Sequence, residues 1–344
     1  MSASPILVSL VTIPRFNMMT LNAVMEPMRV ANYLSSEPLY RWDFRSATAG
    51  RVAGSNGLAV DCGSLETGAK PDTVIVFGSW GTEHYRSEAL FNWLRRQERR
   101  GAVLIGIELG VYALARAGLL AGRRATTHWS WKPAFVEAFP DVDVTEQLYT
   151  LDGNLLTCAG GTAGLDLMLA LVARQQGEQL AAEVANQILV HPRRPPDGVQ
   201  RQASVKVDAE VHPSVRAAMT LLEANLEEPI AVPELCRELA VSQRQLERLF
   251  RRDTGCTIVQ FGKLLRLQYG RVLLTGTGLS IREVSAACGF NSMSYFSACF
   301  QKTFGKKPSD YRQSWPEGEP APSWPGTFYA FIRDSRTDGK TLPG

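Results

Sequence analysis

The sequence of 344 residues predicts two domains: an α/β domain with a parallel β-sheet between layers of helices, and an all-α domain with two helix-turn-helix motifs. In residues 1–190, short apolar runs rich in β-branched residues alternate with helical patterns, which is typical of successive βα units. From Pro213 to Tyr311 the apolar residues recur only at helical spacing. Within that helical region one residue pattern occurs twice, which indicates a duplicated motif.

The α/β prediction rests on three strands that are each followed by a helix, and on two closing helices. In chain order these elements are Ile6–Ile13, Thr20–Leu34, Thr73–Phe77, Glu88–Arg100, Val103–Ile107, Gly110–Ala117, Leu165–Arg174 and Leu180–Leu189. Because helices that connect parallel strands cross over the sheet, we expect helices on both of its faces.

Composition predicts the remaining boundaries. Residues 191–212 begin with His191-Pro-Arg-Arg-Pro-Pro-Asp-Gly, whose prolines and charges predict a linker. The helical domain is expected to cover residues 213–315. Residues 316–344 hold five prolines and four glycines, which predicts a flexible tail.

Charge is distributed unevenly along the chain. The net charge is +3, but residues 209–315 hold 14 Lys and Arg against 10 Asp and Glu, whereas residues 1–208 hold 20 of each. The excess positive charge in the helical domain favours a polyanionic partner. No apolar run reaches the ~18 residues of a membrane-spanning helix. The six cysteines form no Cys-x-x-Cys or Cys/His cluster, which predicts reduced thiols in a cytoplasmic protein without a metal site.

The duplicated motif aligns residue by residue. At an offset of 50, Leu246, Phe250, Gly255 and Phe261 match Phe296, Phe300, Gly305 and Tyr311, and at an offset of 49, Glu234, Leu235, Ala240 and Val241 match Glu283, Val284, Gly289 and Phe290. The helix predicted between the copies, Ile258–Thr275, spans ~27 Å, so two recognition helices joined by it can enter successive major grooves, which repeat every ~34 Å.

The second helix of copy one has the side chains of a DNA-reading helix. Arg244, Glu247 and Arg248 lie opposite its apolar face and are predicted to contact base edges, because Arg binds guanine and Glu accepts from cytosine. Arg251 and Arg252 lie further along the helix, so we expect them to contact phosphate, as we do for the N-cap residue Ser242.

Copy two carries shorter side chains at the matching positions. Ser294, Ser297 and Ala298 are predicted to add fewer specific contacts to bases. Candidates for contacts with the DNA backbone are Asn291, Ser292, Lys302, Lys306 and Lys307. The alternative interpretation is that the basic residues of both copies only solvate a helix face.

Residues 213–315 resemble the DNA-binding domain of the AraC/XylS family of bacterial transcription regulators. The resemblance lies in Ser242-x-Arg-x-Leu-x-Arg-x-Phe250, Arg266, Leu273-Leu274, Gly289-Phe290, Tyr295-Phe296, Phe304-Gly305 and Pro308-Ser-x-Tyr-Arg312. Gly270 departs from the alanine that is usual in the family, which would loosen the connecting helix by up to ~1 kcal/mol.

In the α/β domain, strand Val103–Ile107 leads through Gly106-Ile-Glu-Leu-Gly110 into a helix, which is the arrangement of a nucleophile elbow with Glu108 at its centre. Together with Ala23-Val-Met-Glu-Pro-Met-Arg-Val-Ala-Asn32 and Thr157-Cys-Ala-Gly-Gly-Thr-Ala-Gly-Leu-Asp166, this segment resembles the PfpI-type, class I glutamine amidotransferase-like domain of the GlxA-like group. The resemblance implies a flavodoxin-like three-layer sandwich. In relatives that use a thiol, a cysteine occupies the position of Glu108 and an acid matches Glu26.

A carboxylate cannot act as a thiolate, so we expect a former active-site pocket that binds an effector and has no catalytic residue. The predicted pocket residues are Glu26, Glu108, Leu109, His128, Trp129, Cys158, Gly160 and Gly161. Elbow N–H groups favour an anion, whereas Glu108 favours an amine or a quaternary ammonium. Trp129 and Trp131 either form an aromatic wall for such a cation or pack in the core. His128 is either a partner of Glu108 or a structural residue.

The resemblance implies a cytoplasmic homodimer that binds promoter DNA and acts through RNA polymerase, more often as an activator than as a repressor. Its effector would be a small nitrogenous metabolite such as arginine, glycine betaine or carnitine, and no cofactor, metal or membrane contact is expected. Two alternatives remain open at this point. The α/β domain is only a dimer scaffold, or it retains hydrolase or lyase activity with Glu108 as a carboxylate nucleophile.

Overall fold

The computed structural model describes residues 4–191, 193–200 and 211–313. The chain forms two compact units, Met1–Arg201 and Gln202–Gly344. The tail predicted for residues 316–344 lies outside the described residues. None of the described helices is long and apolar enough to cross a membrane.

The first unit is built on an eight-stranded, mainly parallel sheet. Its spatial order is β3-β4-β2-β1-β5-β6-β10-β9, and strands β7 and β8 pair separately. The strands are β1 (Ile6–Thr12), β2 (Tyr40–Ser46), β3 (Gly50–Ala53), β4 (Ala59–Ser64), β5 (Thr73–Gly78), β6 (Val103–Glu108), β7 (Arg124–Thr126), β8 (Asp143–Thr145), β9 (Tyr149–Asp152) and β10 (Leu155–Cys158). Only the two edge pairs of the large sheet, β3 with β4 and β9 with β10, are antiparallel.

Helices cover both faces of this sheet and produce two apolar cores. The helices are α1 (Met18–Leu34), α2 (Glu88–Arg99), α3 (Val111–Arg116), α4 (Lys132–Ala138), α5 (Ala163–Gln176) and α6 (Glu178–Gln187). One core includes residues of α1, α5 and α6, and the other includes residues of α2, α3 and α4. Every residue of β5 is buried, because a central parallel strand has packed side chains on both faces. The predicted α/β sandwich is confirmed.

The segment predicted as a linker is in part a piece of the α/β unit. Within residues 193–200, the Arg194 backbone N–H and guanidinium donate to the buried carboxylate of Asp166, and the Leu148 N–H donates to the Pro196 carbonyl at 2.9 Å. Val199 forms an isolated β-bridge with Gln147. The linker prediction of 191–212 was therefore wrong for these residues, because a proline-rich composition gives no sign of a buried partner elsewhere in the chain. Residues 201–210 lie outside the described residues.

The second unit is entirely helical in its described part. Its helices are α7 (Pro213–Ala224), α8 (Val232–Glu238), α9 (Gln243–Thr254), α10 (Ile258–Gly276), α11 (Ile281–Ala287), α12 (Met293–Phe304) and α13 (Pro308–Gln313). Helices α8 and α9 form the first helix-turn-helix, and α11 and α12 form the second. Each second helix begins at a serine N-cap, Ser242 or Ser292, and ends at a left-handed glycine, Gly255 or Gly305.

Each helix-turn-helix has its own apolar core, and α10 contributes to both. Leu246 and Phe250 lie in the first core, and Phe296 and Phe300 lie in the second. Gly270 of α10 faces the second core so closely that a Cβ there would lie 2.9 Å from Phe296 Cε2. Gly270 thus permits a close contact between α10 and α12. The sequence predicted only that this glycine loosens the connecting helix.

The described cysteines are buried, no disulfide bond joins them, and they are distributed evenly. Cys62 and Cys158 belong to the α/β unit, Cys236 and Cys256 to the core of the first helix-turn-helix, and Cys288 and Cys299 to that of the second. Burial raises the pKa of the Cys158 thiol to about 12.

Candidate DNA interface and effector cavity

Helix α9 turns its apolar face to the core and leaves its basic residues exposed. Leu246, Leu249 and Phe250 are buried, whereas Ser242, Arg244, Arg248, Arg251 and Arg252 are exposed. The Ser242 side chain accepts from the Gln245 N–H, which satisfies one free donor of the first turn. Arg252 is paired with Asp253, whereas within the described residues Arg251 has no ion-pair partner. Of the two arginines predicted to contact phosphate, Arg251 is therefore more available than Arg252.

Glu247 is less exposed than Arg244 and Arg248, the two arginines that are predicted with it to contact base edges. Its side chain is half-buried, and its Oε2 atom is buried without a hydrogen-bond partner among the described residues. Burial, with a smaller contribution from the Glu247 charge, raises the pKa of Cys236 on α8, which places this carboxylate beside the first helix of the motif. Gln243 and Gln245, which the sequence analysis did not single out, are exposed in the first turn and carry the amide that suits adenine.

Helix α12 presents a less charged surface than α9. Ser294 and Ala298 are exposed, Ser297 is half-buried, and Asn291, Ser292, Lys302, Lys306 and Lys307 are exposed. Two large side chains that are not among the predicted DNA contacts, Met293 and Tyr295, are about half exposed on the first turn. The buried Lys263 of α10 donates to the Tyr295 hydroxyl at 2.7 Å, so the connecting helix holds this aromatic residue in place.

Arg266 of α10 fixes the turn of the second motif. Its guanidinium donates to the Gly289 carbonyl at 2.7 Å and lies 4.5 Å from the centroid of the Phe290 ring. Both residues belong to the turn between α11 and α12. The turn that aims the second recognition helix is thus tied directly to the connecting helix.

In the α/β unit, the elbow at the end of β6 has the sharp backbone expected from its sequence. Glu108 has a φ of 57°, in the left-handed region that few residues other than glycine adopt. A Cβ at Gly110 would lie 2.1 Å from the Val76 carbonyl oxygen, so only glycine fits after the turn. A Cβ at Gly160 would lie 2.8 Å from the Glu108 Cβ, so the loop after β10 also approaches closely.

The Glu108 side chain is buried among hydroxyl and amide groups. Ser79 Oγ donates to Oε1 at 2.9 Å, Thr20 Oγ1 donates to Oε2 at 3.3 Å, and Asn17 adds a further hydrogen bond. Burial raises the pKa of Glu108 to about 7, although these hydrogen bonds lower it. Near neutral pH a positive charge that approaches this carboxyl group would therefore favour its ionised form.

A cavity of about 220 Å³ opens over Glu108 at the carboxyl end of the parallel strands. Five of the eight predicted pocket residues line it: Glu108, His128, Trp129, Gly160 and Gly161. Its other lining residues are Asn17, Leu148, Ala159, Thr162, Ala163, Arg194 and Gln200. The Gly161 N–H donates to Thr20 Oγ1 at 3.0 Å and is therefore already occupied, which weakens the expectation of an anion held by backbone N–H groups here.

Glu26, Leu109 and Cys158 do not line this cavity, and their placement in it was wrong. Glu26 lies on the outer side of α1, almost half exposed, and forms an ion pair with Arg29. Leu109 and Cys158 are fully buried in the two apolar cores. Thr20 and Asn17, near the start of α1, supply the contacts to Glu108 instead. Position 26 lies six residues beyond Thr20, and six residues are more than one and a half turns of helix, which explains its different direction.

His128 is a neutral structural residue with one side on the cavity. Its Nδ1 accepts from the Ser130 N–H at 3.3 Å and lies 2.7 Å from Ser130 Oγ, which places the ring proton on Nε2. Burial lowers the pKa of His128 to about 4. No hydrogen bond joins it to Glu108 among the residues described, so the structure gives the suggested dyad no support. Trp129 is 41% exposed at the cavity. Trp131, in contrast, packs against the apolar core of the α/β unit that includes residues of α2, α3 and α4.

Two cavity residues come from the segment that leads to the second unit. Arg194 donates to Asp166 at 2.8 Å and to Thr162 Oγ1 at 2.9 Å. Gln200 donates to Thr126 Oγ1 and to the carbonyls of Thr127 and Gln147, and it accepts from the Trp129 N–H at 2.8 Å. Gln200 is also the last described residue before residues 201–210.

Two basic helix-turn-helix motifs joined to an α/β domain define a DNA-binding transcription regulator, and the comparisons agree. Residues 235–314 match a helix-turn-helix domain family, and residues 22–174 match the DJ-1/PfpI family. The HTH-type transcriptional regulator CdhR of Pseudomonas aeruginosa is 41% identical over 91% of this chain and 94% of its own length. GlxA of Rhizobium meliloti, also an HTH-type transcriptional regulator, is 36% identical over 87% of this chain and 93% of its own length.

The chain belongs to the AraC family of transcription regulators, in the group that carries an N-terminal DJ-1/PfpI domain. Among solved structures, a ThiJ/PfpI family protein from Pseudomonas syringae is 22% identical with a TM-score of 0.50, over 72% of this chain and 91% of that one. That likeness shows the shared α/β fold.

Proposed function

We propose that this regulator is controlled by a small nitrogenous metabolite that binds over Glu108. One observation carries the proposal: Arg194 and Gln200, which line the same cavity as Glu108, belong to the segment that continues into the DNA-binding unit. An occupant of the cavity therefore contacts both the elbow and the start of the connection.

The chemistry of the cavity favours a zwitterion with a cationic amine. Glu108 supplies a carboxyl group with a pKa of about 7, which a nearby ammonium would lower, and Trp129 supplies an exposed aromatic face. At the rim, Arg194 is 42% exposed while it is paired with Asp166, so it can also meet a ligand carboxylate. Arginine, glycine betaine and carnitine all have this pair of charges.

Gln200 is the group through which occupancy would reach the DNA-binding unit. Its side chain makes four hydrogen bonds to the loops around 126–129 and 147, at the edge of the cavity. A ligand changes DNA binding only if it favours one arrangement of this segment over another. We infer that the ligand-bound state holds residues 193–200 in place and thereby influences DNA binding.

The experiment is a ligand panel with two readouts on the full chain. Thermal shift with arginine, glycine betaine, carnitine and analogues that lack the cationic nitrogen should show stabilisation by at least one of the three metabolites, about 2.7 kcal/mol at ~100 times its Kd. The affinity should rise as the pH rises through about 7, because the cation binds the ionised Glu108. At ligand concentrations that saturate the variant, Gln200→Ala should lose the effect of the ligand on promoter binding.

The matched control is Gln179→Ala, an exposed position on α6 that does not line the cavity, which should leave both readouts unchanged. Stabilisation that is the same in Glu108→Gln would place the ligand elsewhere. No shift with any member of the panel would favour the α/β domain as a dimer scaffold.

We further infer a cytoplasmic homodimer that activates transcription through RNA polymerase and has no enzymatic activity. Support comes from the family resemblance and from the elbow, where Glu108 replaces the thiol and His128 is held neutral. Light scattering tests the dimer, and transcription from a bound promoter with purified polymerase tests the sign of regulation. Hydrolase activity that is lost in Glu108→Ala would overturn the non-enzyme assignment.

A further inference from the structure

A second cavity of about 220 Å³ lies at the amino ends of the parallel strands, opposite to the ends at which Glu108 lies. It is lined by the first residues of three parallel strands, Ile6, Thr73 and Val103. Val103 begins β6 and Glu108 ends it, so the two cavities are about 16 Å apart along that strand at ~3.3 Å per residue. The second cavity is therefore separate from the one over Glu108.

The walls of this cavity are apolar. Between the sheet and helices α1 and α5 they consist of Val8, Met28, Ile75, Leu156, Met168 and Leu171, all of which are buried. A cavity of about 150 Å³ lined by such residues is large enough to bind benzene. The space here thus suits a compact apolar body of about the size of a substituted ring.

Among the described residues that line this cavity, Arg174 is the one with a charged side chain. Arg174, near the end of α5, lines it and is exposed, and its guanidinium has no hydrogen bond or ion pair with any described residue. Tyr40 donates its hydroxyl to Gln175 Oε1 at 2.8 Å, and burial raises the pKa of Tyr40, so the phenol stays neutral. No Asp or Glu is among the described residues that line the cavity.

We propose that this cavity is a second small-molecule site, which takes a compact apolar molecule with one carboxylate, such as an aryl carboxylate. The ring would lie among the apolar walls, and the carboxylate would meet Arg174 at the mouth. Its charge preference is opposite to that of the cavity over Glu108. The regulator would then receive two chemically different signals in one α/β domain.

Calorimetric titration of the full chain with benzoate tests the proposal. Wild type should bind benzoate saturably, and Val103→Phe, which fills the cavity, should weaken binding at least about tenfold. Arg174→Gln should weaken benzoate about five- to tenfold and leave the neutral benzyl alcohol unchanged. Glu108→Gln is the matched control and should leave benzoate binding unchanged, so this result does not depend on the proposed effector.

Several outcomes would overturn the proposal. One is the absence of saturable benzoate binding up to millimolar concentration. Another is an equal loss in Glu108→Gln, which would place benzoate in the first cavity. If Val103→Phe lowers the melting temperature, the proposal is tested by the affinities of Arg174→Gln for benzoate and for benzyl alcohol, because position 174 is exposed and its substitution should not disturb the fold. If Arg174→Gln binds benzoate as tightly as wild type does, the contact between Arg174 and the carboxylate is excluded.

Discussion

Ala240 and Gly289 occupy equivalent positions in the turns of the two helix-turn-helix motifs, and both have a left-handed backbone, with φ of 51° and 67°. Glycine adopts this conformation without steric cost, whereas an L-residue loses ~1–2 kcal/mol. A Cβ at Gly289 would also lie 2.7 Å from the Glu227 carbonyl oxygen. The first motif therefore holds strain that the second avoids.

The first prediction exchanges these residues. Ala240→Gly should leave the free energy of unfolding unchanged or raise it by up to ~1 kcal/mol, because relief of strain is partly offset by the flexibility of glycine in the unfolded chain. Gly289→Ala should lower it by more than ~2 kcal/mol, because strain and a backbone contact add. Urea unfolding measures both free energies. If the two substitutions lower the free energy of unfolding by the same amount, the two turns are not equivalent.

The second prediction concerns the two glycines of α10. Gly270→Ala should lower stability by ~1–3 kcal/mol, because the methyl group meets Phe296 and Cys288 at 2.9 and 3.1 Å and this outweighs the better helix propensity of alanine. Gly262→Ala is the matched control on the same helix, where the Cβ would lie 3.4 Å from Leu222 Cδ2. That variant should gain up to ~1 kcal/mol. Stabilisation by both changes would show that Phe296 moves aside easily.

The third prediction is a pH dependence that comes from Glu108. Its pKa is raised by burial to about 7 from 4.5, so the folded state binds more protons than the unfolded state between these values. Stability from this group is therefore full below about pH 4.5 and is lost as the pH rises to about 7, by up to ~3 kcal/mol.

Glu108→Gln isolates this contribution from those of other groups. His128 acts in the opposite sense, because its pKa is lowered to about 4, and Glu83 acts in the same sense as Glu108. Both cancel when the stability of the variant is subtracted from that of wild type at each pH. The difference should change across pH 4.5 to 7 and stay flat above pH 8; a flat difference throughout would mean that Glu108 titrates normally.

The fourth prediction distinguishes base-specific contacts from phosphate contacts in DNA binding. Arg248→Ala should cost ~1–3 kcal/mol and relax specificity at one base pair, whereas Lys306→Ala should weaken all sequences alike and reduce the salt slope by about 1. Glu247→Ala should change specificity less than Arg248→Ala, because one of its oxygens is buried beside α8. Binding to a target and to single-base variants at several salt concentrations measures these effects. An equal loss of specificity from Ser294→Ala would contradict the ranking of the two helices.

The architecture was predictable because it depends on local patterns. Alternating βα units and the repeated spacing of Leu246, Phe250 and Gly255 reflect burial periods and capping rules that act over a few residues. The site was predictable only where one segment carries it, as at Glu108 and Gly160. Arg194 and Gln200 were not predicted as site residues, because their partners, Asp166 and Thr126, lie 28 and 74 positions away in the chain. Glu26 was misplaced because matching a family position does not fix the direction of a side chain on a helix.

The burial of the cysteines makes the protein its own reporter of local unfolding. Two thiols lie in each of three separate parts: the α/β unit and the two small cores of the DNA-binding unit. A buried thiol reacts with an alkylating reagent only when the part around it opens. The rates at which the three pairs are labelled would thus give three opening free energies in one native sample, without any engineered probe.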